Sequence, residues 1–118
     1  MVVALDRPSA EEIDRVFHAL ADATRRDIVQ RVLDGEWSVS ALAREYPMSF
    51  AAVQKHVAVL ERAELVTKER RGREHLVHPN LATVRRAARV LEGLEALWHE
   101  RIARFQSVLD DDLCRTQT

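Results

Sequence analysis

Two clusters of side chains near the middle of this 118-residue chain carry groups suited to gripping another molecule. Arg70, Arg71 and Arg73 surround Gly72. Each guanidinium offers a rigid fork of N–H donors that matches phosphate oxygens. Upstream, Gln54 and Lys55 follow Ser49, Phe50 and Ala51. A glutamine amide sets a donor beside an acceptor, which fits the N6/N7 edge of adenine, and a lysine reaches guanine or phosphate. The chain carries a net charge of −1, yet residues 47–73 hold six of its 18 lysines and arginines and only three of its 19 carboxylates. A concentrated basic face governs contact with polyanions more than the total does.

Other chemistry is poorly provided for. The sequence has no glycine-rich phosphate loop, no nucleophile paired with a base and no metal-water motif, so it reads as a non-enzyme without a cofactor. Glu95 and His99 stand four residues apart and would share a helix face, which reads as a solvated face rather than a metal site. His75 and His78 differ by three positions and point to opposite sides of a strand. His18 lies beside an apolar stripe and reads as a packed residue. His56 reads as half-buried, with a hydrogen bond to a neighbouring helix. Cys114 is the only cysteine, which excludes an internal disulfide and favours the cytoplasm. No apolar run approaches the roughly 18 residues of a membrane span. Met1–Leu5 lacks the basic leader and long core of a signal peptide.

The elements that must position these clusters are mostly helical. Hydrophobic residues make up 47% of the chain and charged residues 31%, a globular composition for one domain over 1–118, with residues 1–8 and 110–118 as flexible tails. Ser9 and Glu12 form a capping box ahead of a stripe of Ile13, Val16, Phe17 and Leu20. Asp22 caps a second helix that stops at Gly35. Trp37–Ser38 is a connector or one edge strand. Ser38 caps a short helix to Tyr46, which Pro47 blocks. Ser49 caps a fourth helix from Phe50 to Arg62, with Val53, Val57 and Leu60 inward and Ala51, Gln54, Lys55 and Ala58 outward. Leu65–Arg70 and Glu74–His78 flank a tight turn and predict a hairpin, ended by Pro79. Asn80 opens a last helix to about Leu109, with Gly93 a point where it could bend. Its line of Leu94, Trp98, Ile102, Phe105 and Leu109 needs a partner surface.

Five helices and a basic hairpin in this order describe a winged helix-turn-helix, in which one helix enters the major groove and the hairpin grips the backbone. The segments Phe17–Arg26, Met48–Leu60 and Leu65–Glu74 resemble those of the ArsR/SmtB group of bacterial repressors. The resemblance covers roughly residues 13–109. It implies a homodimer paired through the first and last helices, with Ile13, Phe17, Leu94, Trp98, Ile102 and Phe105 at the interface. It also implies a repressor acting at an inverted repeat in double-stranded promoter DNA, often that of its own gene. Where such proteins carry a Cys-x-Cys metal site, this chain has Ser38 and Ser40, and serine hydroxyls are poor ligands for soft metals. No inducer is legible. A protein-docking winged helix is the competing reading, but it has no need of Gln54, Lys55 and the hairpin arginines together.

Overall fold

A computed structural model describes residues 8–116. Residues 1–7 and 117–118 of the expected tails lie outside the described residues. Five helices and three strands follow in the order α1 (Ala10–Leu20), α2 (Ala23–Asp34), β1 (Trp37–Ser38), α3 (Val39–Ala43), α4 (Phe50–Arg62), β2 (Val66–Arg71), β3 (Glu74–Pro79) and α5 (Leu81–Thr116). The first compact unit ends at Ala87, and a second begins at Ala88.

Short polar side chains start four of the helices by accepting an orphan N–H of the first turn. Ser9 Oγ accepts from Glu12 N–H at 3.1 Å, and Asp22 Oδ1 from Arg25 N–H at 3.1 Å. Ser38 Oγ accepts from Ala41 N–H at 3.0 Å, and Ser49 Oγ from Ala52 N–H at 3.1 Å. The capping box at Ser9 is only half made. The Glu12 carboxylate instead takes a 2.8 Å hydrogen bond from Arg86 Nε on α5. Arg86 also donates to Thr83, which is fully buried.

The expected two-stranded hairpin is part of a three-stranded antiparallel sheet in the order β1-β3-β2. Trp37 pairs with Val77 and Ser38 with Leu76, so the two-residue segment is an edge strand. Arg71 faces Glu74 across the turn, where Gly72 takes φ +64°. A two-residue hairpin loop calls for that left-handed geometry, which glycine adopts at no steric cost. A second left-handed residue, Glu64 at φ +60°, follows α4. There the Leu65 N–H closes back on the Leu60 carbonyl at 3.0 Å. No glycine marks this helix end, so the sequence pattern does not announce it.

The core is one cluster under α4. Val53, Val57 and Leu60 are fully buried against Ile28, Leu42, Leu65 and Val66. Two arginines hold the helices around it. Arg25 Nε donates to the Ala19 carbonyl at 2.7 Å and Nη2 to the His18 carbonyl at 3.2 Å, closing the end of α1. Its Nη1 lies 3.3 Å from His56 Nδ1 on α4, the contact to a neighbouring helix expected of that half-buried histidine. Arg31 sits over the rings of Trp37 and Tyr46, 5.5 Å from each centroid. It also donates to Asp27 at 2.8 Å. Tyr46 OH donates to the same carboxylate at 2.5 Å. Burial, with help from Asp27, pushes the Tyr46 hydroxyl up to about 12.

In α5 the helix runs unbroken through Gly93 and continues past Leu109 to Thr116. In the unit from Ala88 onward, Leu91, Leu94, Leu97, Trp98, Ile102, Phe105, Val108, Leu109 and Leu113 are all exposed.

The Asp27 clip gives a pH-dependent stability. The Arg31 hydrogen bond, then that of Tyr46, holds the Asp27 carboxyl below its ordinary range. A depressed folded-state value stabilises the protein above the unfolded pKa of about 4, and the gain disappears as pH falls through the folded value. Urea titrations should therefore find Asp27→Asn less stable than wild type at pH 7, with the gap closing below about pH 4. An equal gap at both pH values would exclude this carboxylate as the source.

Candidate nucleic-acid interface

Burial of Val53, Val57 and Leu60 leaves the other face of α4 outward, because a helix repeats about every 3.6 residues. Ser49, Phe50, Ala51, Gln54 and Lys55 are all exposed. The Ser49 hydroxyl is already the acceptor of the first-turn cap, so its remaining role is as a donor. The first intrahelical bond from this turn is Val53 N–H to the Ser49 carbonyl at 3.1 Å. The N–H groups of Phe50 and Ala51 precede it and point from the positive end of the helix dipole, a ready cradle for a phosphate.

The hairpin stands beside this end of α4. A cleft of about 140 Å³ separates them, lined by Phe50 and Gln54 on one side and Lys68, Arg73, Glu74 and His75 on the other. Strand alternation places Lys68 and Arg70 on one face of the hairpin and Glu69 and Arg71 on the opposite face. The structure thus brings Gln54 and Arg73 to one cleft. Arg70 stays at the strand end, its Nε 3.4 Å from the Gly72 carbonyl. Arg71 is held back by acids. Its Nη2 donates to Glu69 at 2.8 Å, and Nη1 lies 3.7 Å from Glu36. Arg73 and Lys55 have no acidic partner among the described residues.

Lys68 was not among the residues singled out from the sequence, and His75 was weighed there only with His78, as a strand histidine. The signal was available: His75 lies opposite Arg70 in the hairpin register, and Lys68 lies two residues from Arg70 on the same face. Lys68 Nζ is 3.5 Å from Glu61 Oε1, so it ties the hairpin to α4.

The other candidates are scattered. Glu95 and His99 meet at 3.2 Å on an exposed helix face. His18 is exposed rather than packed, because the stripe of α1 turns its neighbours Phe17 and Ala19 inward. His78 Nε2 is shielded from solvent, accepts no hydrogen bond and lies 3.8 Å from Glu69. Cys114 is exposed. Among the described residues, no three His, Cys, Asp or Glu side chains gather closely enough to hold a metal ion. Ser38 is buried and serves as the α3 cap. Ile13 and Phe17 are half-buried on α1, bordering a crevice with Thr83, Arg86 and Ala87. Leu94, Trp98, Ile102 and Phe105 lie on the exposed line of the second unit. No described helix is long and apolar enough to cross a membrane.

A helix-turn-helix of α3 and α4, followed by a basic two-stranded wing, defines the winged-helix class of nucleic-acid-binding folds. Comparison with known proteins narrows it. The family described as "Helix-turn-helix domain" matches residues 20–69. The HTH-type transcriptional regulator Rv2034 of Mycobacterium tuberculosis is 35% identical over 102 residues, covering 84% of this chain and 90% of that protein. The transcriptional repressor SdpR of Bacillus subtilis is 28% identical over 60 residues, covering 51% of this chain and 67% of that one. An ArsR-like transcriptional regulator from Rhodococcus sp. RHA1 superposes with a TM-score of 0.71 at 34% identity, covering 83% of this chain and 92% of that one. The homodimeric winged helix-turn-helix DNA-binding domain of Mb0332 from Mycobacterium bovis shares the fold, with a TM-score of 0.60 at 24% identity, covering 72% of this chain and 80% of that chain. The chain belongs to the ArsR-type family of winged helix-turn-helix transcriptional regulators.

The pairing of Arg71 predicts an inhibited wing. Glu69→Gln removes the nearer acid and should raise affinity for duplex DNA. It should also steepen the salt dependence by up to about 0.9 in log–log slope, the contribution of one further neutralised phosphate. An unchanged affinity and slope in fluorescence-anisotropy titrations would show that Glu69 does not restrain Arg71.

Proposed function

We propose that this chain is a homodimeric repressor that seats two α4–wing faces on an inverted-repeat operator. The carrying observation is the exposure of Ser49, Phe50, Ala51, Gln54 and Lys55 on α4 and of Arg70, Arg71 and Arg73 on the hairpin, with Arg73 sharing a cleft with Phe50 and Gln54, while α4 is buried along Val53, Val57 and Leu60. In this reading the first-turn N–H groups and Lys55 hold phosphate, Gln54 reads an adenine edge, and the wing arginines follow the adjacent backbone. SdpR, named a repressor, supports the direction of control. The setting is the cytoplasm, and the chain itself catalyses nothing.

The second copy supplies the dyad. A twofold dimer presents its two reading helices about 34 Å apart, one turn of duplex. The exposed apolar line through Leu94, Trp98, Ile102 and Phe105 provides the surface for pairing, and Ile13 and Phe17 add an apolar margin on α1. The homodimeric state of Mb0332 is in keeping with this arrangement. Release from the operator does not run through thiolate metal binding at the start of α3, where Ser38 and Ser40 stand.

Two measurements test the reading. In duplex-binding titrations, Arg73→Ala should weaken all sequences alike, whereas Gln54→Ala should lose about 1–3 kcal/mol of discrimination at one base pair per half-site. Unaltered binding by both variants would remove this face from the contact. In sedimentation, Trp98→Glu should convert a dimer to a folded monomer. A wild-type chain that already sediments as a monomer contradicts the shared apolar line.

A further inference from the structure

Phe50 is the one large apolar side chain among the α4–wing residues assigned to the duplex, and it is 47% exposed. Its neighbours across the cleft, Lys68, Arg73, Glu74 and His75, are polar or charged. Phe50 is thus unlike Val53 and Val57 on the same helix, which the core covers completely. It also differs from the exposed residues of the second unit, which form a continuous apolar line. A phenyl ring in this position has nothing to offer a phosphate oxygen. It gains free energy when an apolar group, or a cation over its face, is brought against it, and on a duplex that carries no cations the apolar contact is the one on offer.

The major-groove edges of the base pairs present one such group. Adenine, guanine and cytosine display hydrogen-bond donors and acceptors there, while thymine adds its C5-methyl. Gln54 lies one helical turn from Phe50 and lines the same cleft. Four residues of helix rise about 6 Å, and base pairs stack about 3.4 Å apart, so the two side chains fall within two base steps of each other. An A·T pair carries both partners: N6 and N7 of adenine suit the amide of Gln54, and the thymine methyl suits the ring of Phe50.

We infer that Phe50 is a specificity-determining residue that reads a thymine C5-methyl next to, or on, the base pair read by Gln54. This rests on the proposed seating of α4 in the major groove and deepens it. The cap arrangement assists. Ser49 holds the first turn through Ala52 N–H, so the Phe50 backbone is fixed before any duplex arrives. Its ring is then presented without a further ordering cost for the main chain.

The test replaces thymine by uracil, which lacks only that methyl. Duplexes selected by the wild-type chain from a randomised pool supply the binding sequence, and each thymine is then exchanged singly. At one thymine per half-site, uracil should weaken wild-type binding about fourfold, the worth of one buried methyl. Phe50→Ser should bind the thymine and uracil duplexes equally, and Phe50→Leu should keep the preference. Circular dichroism and sedimentation of both variants check that the fold is retained. Wild-type indifference to uracil at every thymine overturns the assignment, as does an undiminished uracil penalty in Phe50→Ser. Failure to select any duplex is a different result, because it removes the DNA-binding reading from which this inference starts.

Discussion

The burial of Val53, Val57 and Leu60 is the constraint from which the interface follows. These side chains have no solvent exposure, and they come from the same helix that supplies Gln54 and Lys55. Their spacing fixes the rotation of α4 about its axis to within a fraction of a turn, since any other rotation would bring polar groups into the core and expose the valines. The outward face is therefore a by-product of packing. Among the described residues the side chains of Gln54 and Lys55 make no hydrogen bond, which leaves their donors and acceptors unspent.

Rotation alone does not fix where α4 lies relative to its neighbours. That is the work of two arginines that make several contacts each. Arg25 collects the carbonyls at the end of α1 and reaches His56 on α4. Its position is set by the Asp22 cap, and the carboxyl of Asp22 is held below its ordinary range chiefly by the Arg25 backbone hydrogen bond. Arg31 does the same at the other end of α2, between Trp37 and Tyr46 and bonded to Asp27. Planar guanidinium groups suit both tasks because they stack on rings while donating in their own plane. With these clasps in place, the segments before and after α3 need little regular structure to hold the helix pair in register.

The wing shows the opposite economy. Arg71 is paired with Glu69 and Glu36, whereas Arg73 at the turn forms no ion pair among the described residues, although Glu74 is its neighbour. All of these groups are well exposed, so the pairs are weak and exchange readily for phosphate. Acids placed beside a basic finger reduce its pull on any polyanion, which favours contacts that add base readout to charge.

Much of this was legible in the residues. The caps at Asp22, Ser38 and Ser49, the bounds of α4 and the glycine turn of the wing follow from short-range rules, and each stands where those rules place it. What was not legible depends on partners far apart in the chain. Glu12 has the spacing of a capping-box residue, but a guanidinium from α5 competes for its carboxylate and wins. The third strand pairs residues forty positions apart, Trp37 with Val77, and two residues leave no periodic trace. For His56 the pattern announced a half-buried histidine bonded to a neighbouring helix, but not that Arg25 is its partner. Helix α3 ends at Ala43 rather than Tyr46: Pro47 disfavours a helical conformation just before it, and Tyr46, past the helix end, packs against Arg31 and bonds Asp27. The last helix ends later than its apolar line suggested, and the line itself has more order than was read from it. Leu91, Ile102 and Leu113 are spaced eleven residues apart, and so are Leu94 with Phe105 and Trp98 with Leu109. An eleven-residue period corresponds to about 3.67 residues per turn, closer to a straight helix than the heptad's 3.5. The stripe therefore winds only slightly along the helix, so one long neighbour lying nearly straight along it can stay in contact throughout. In the proposed dimer a second copy of the same helix is such a neighbour, and it brings an identical stripe with it.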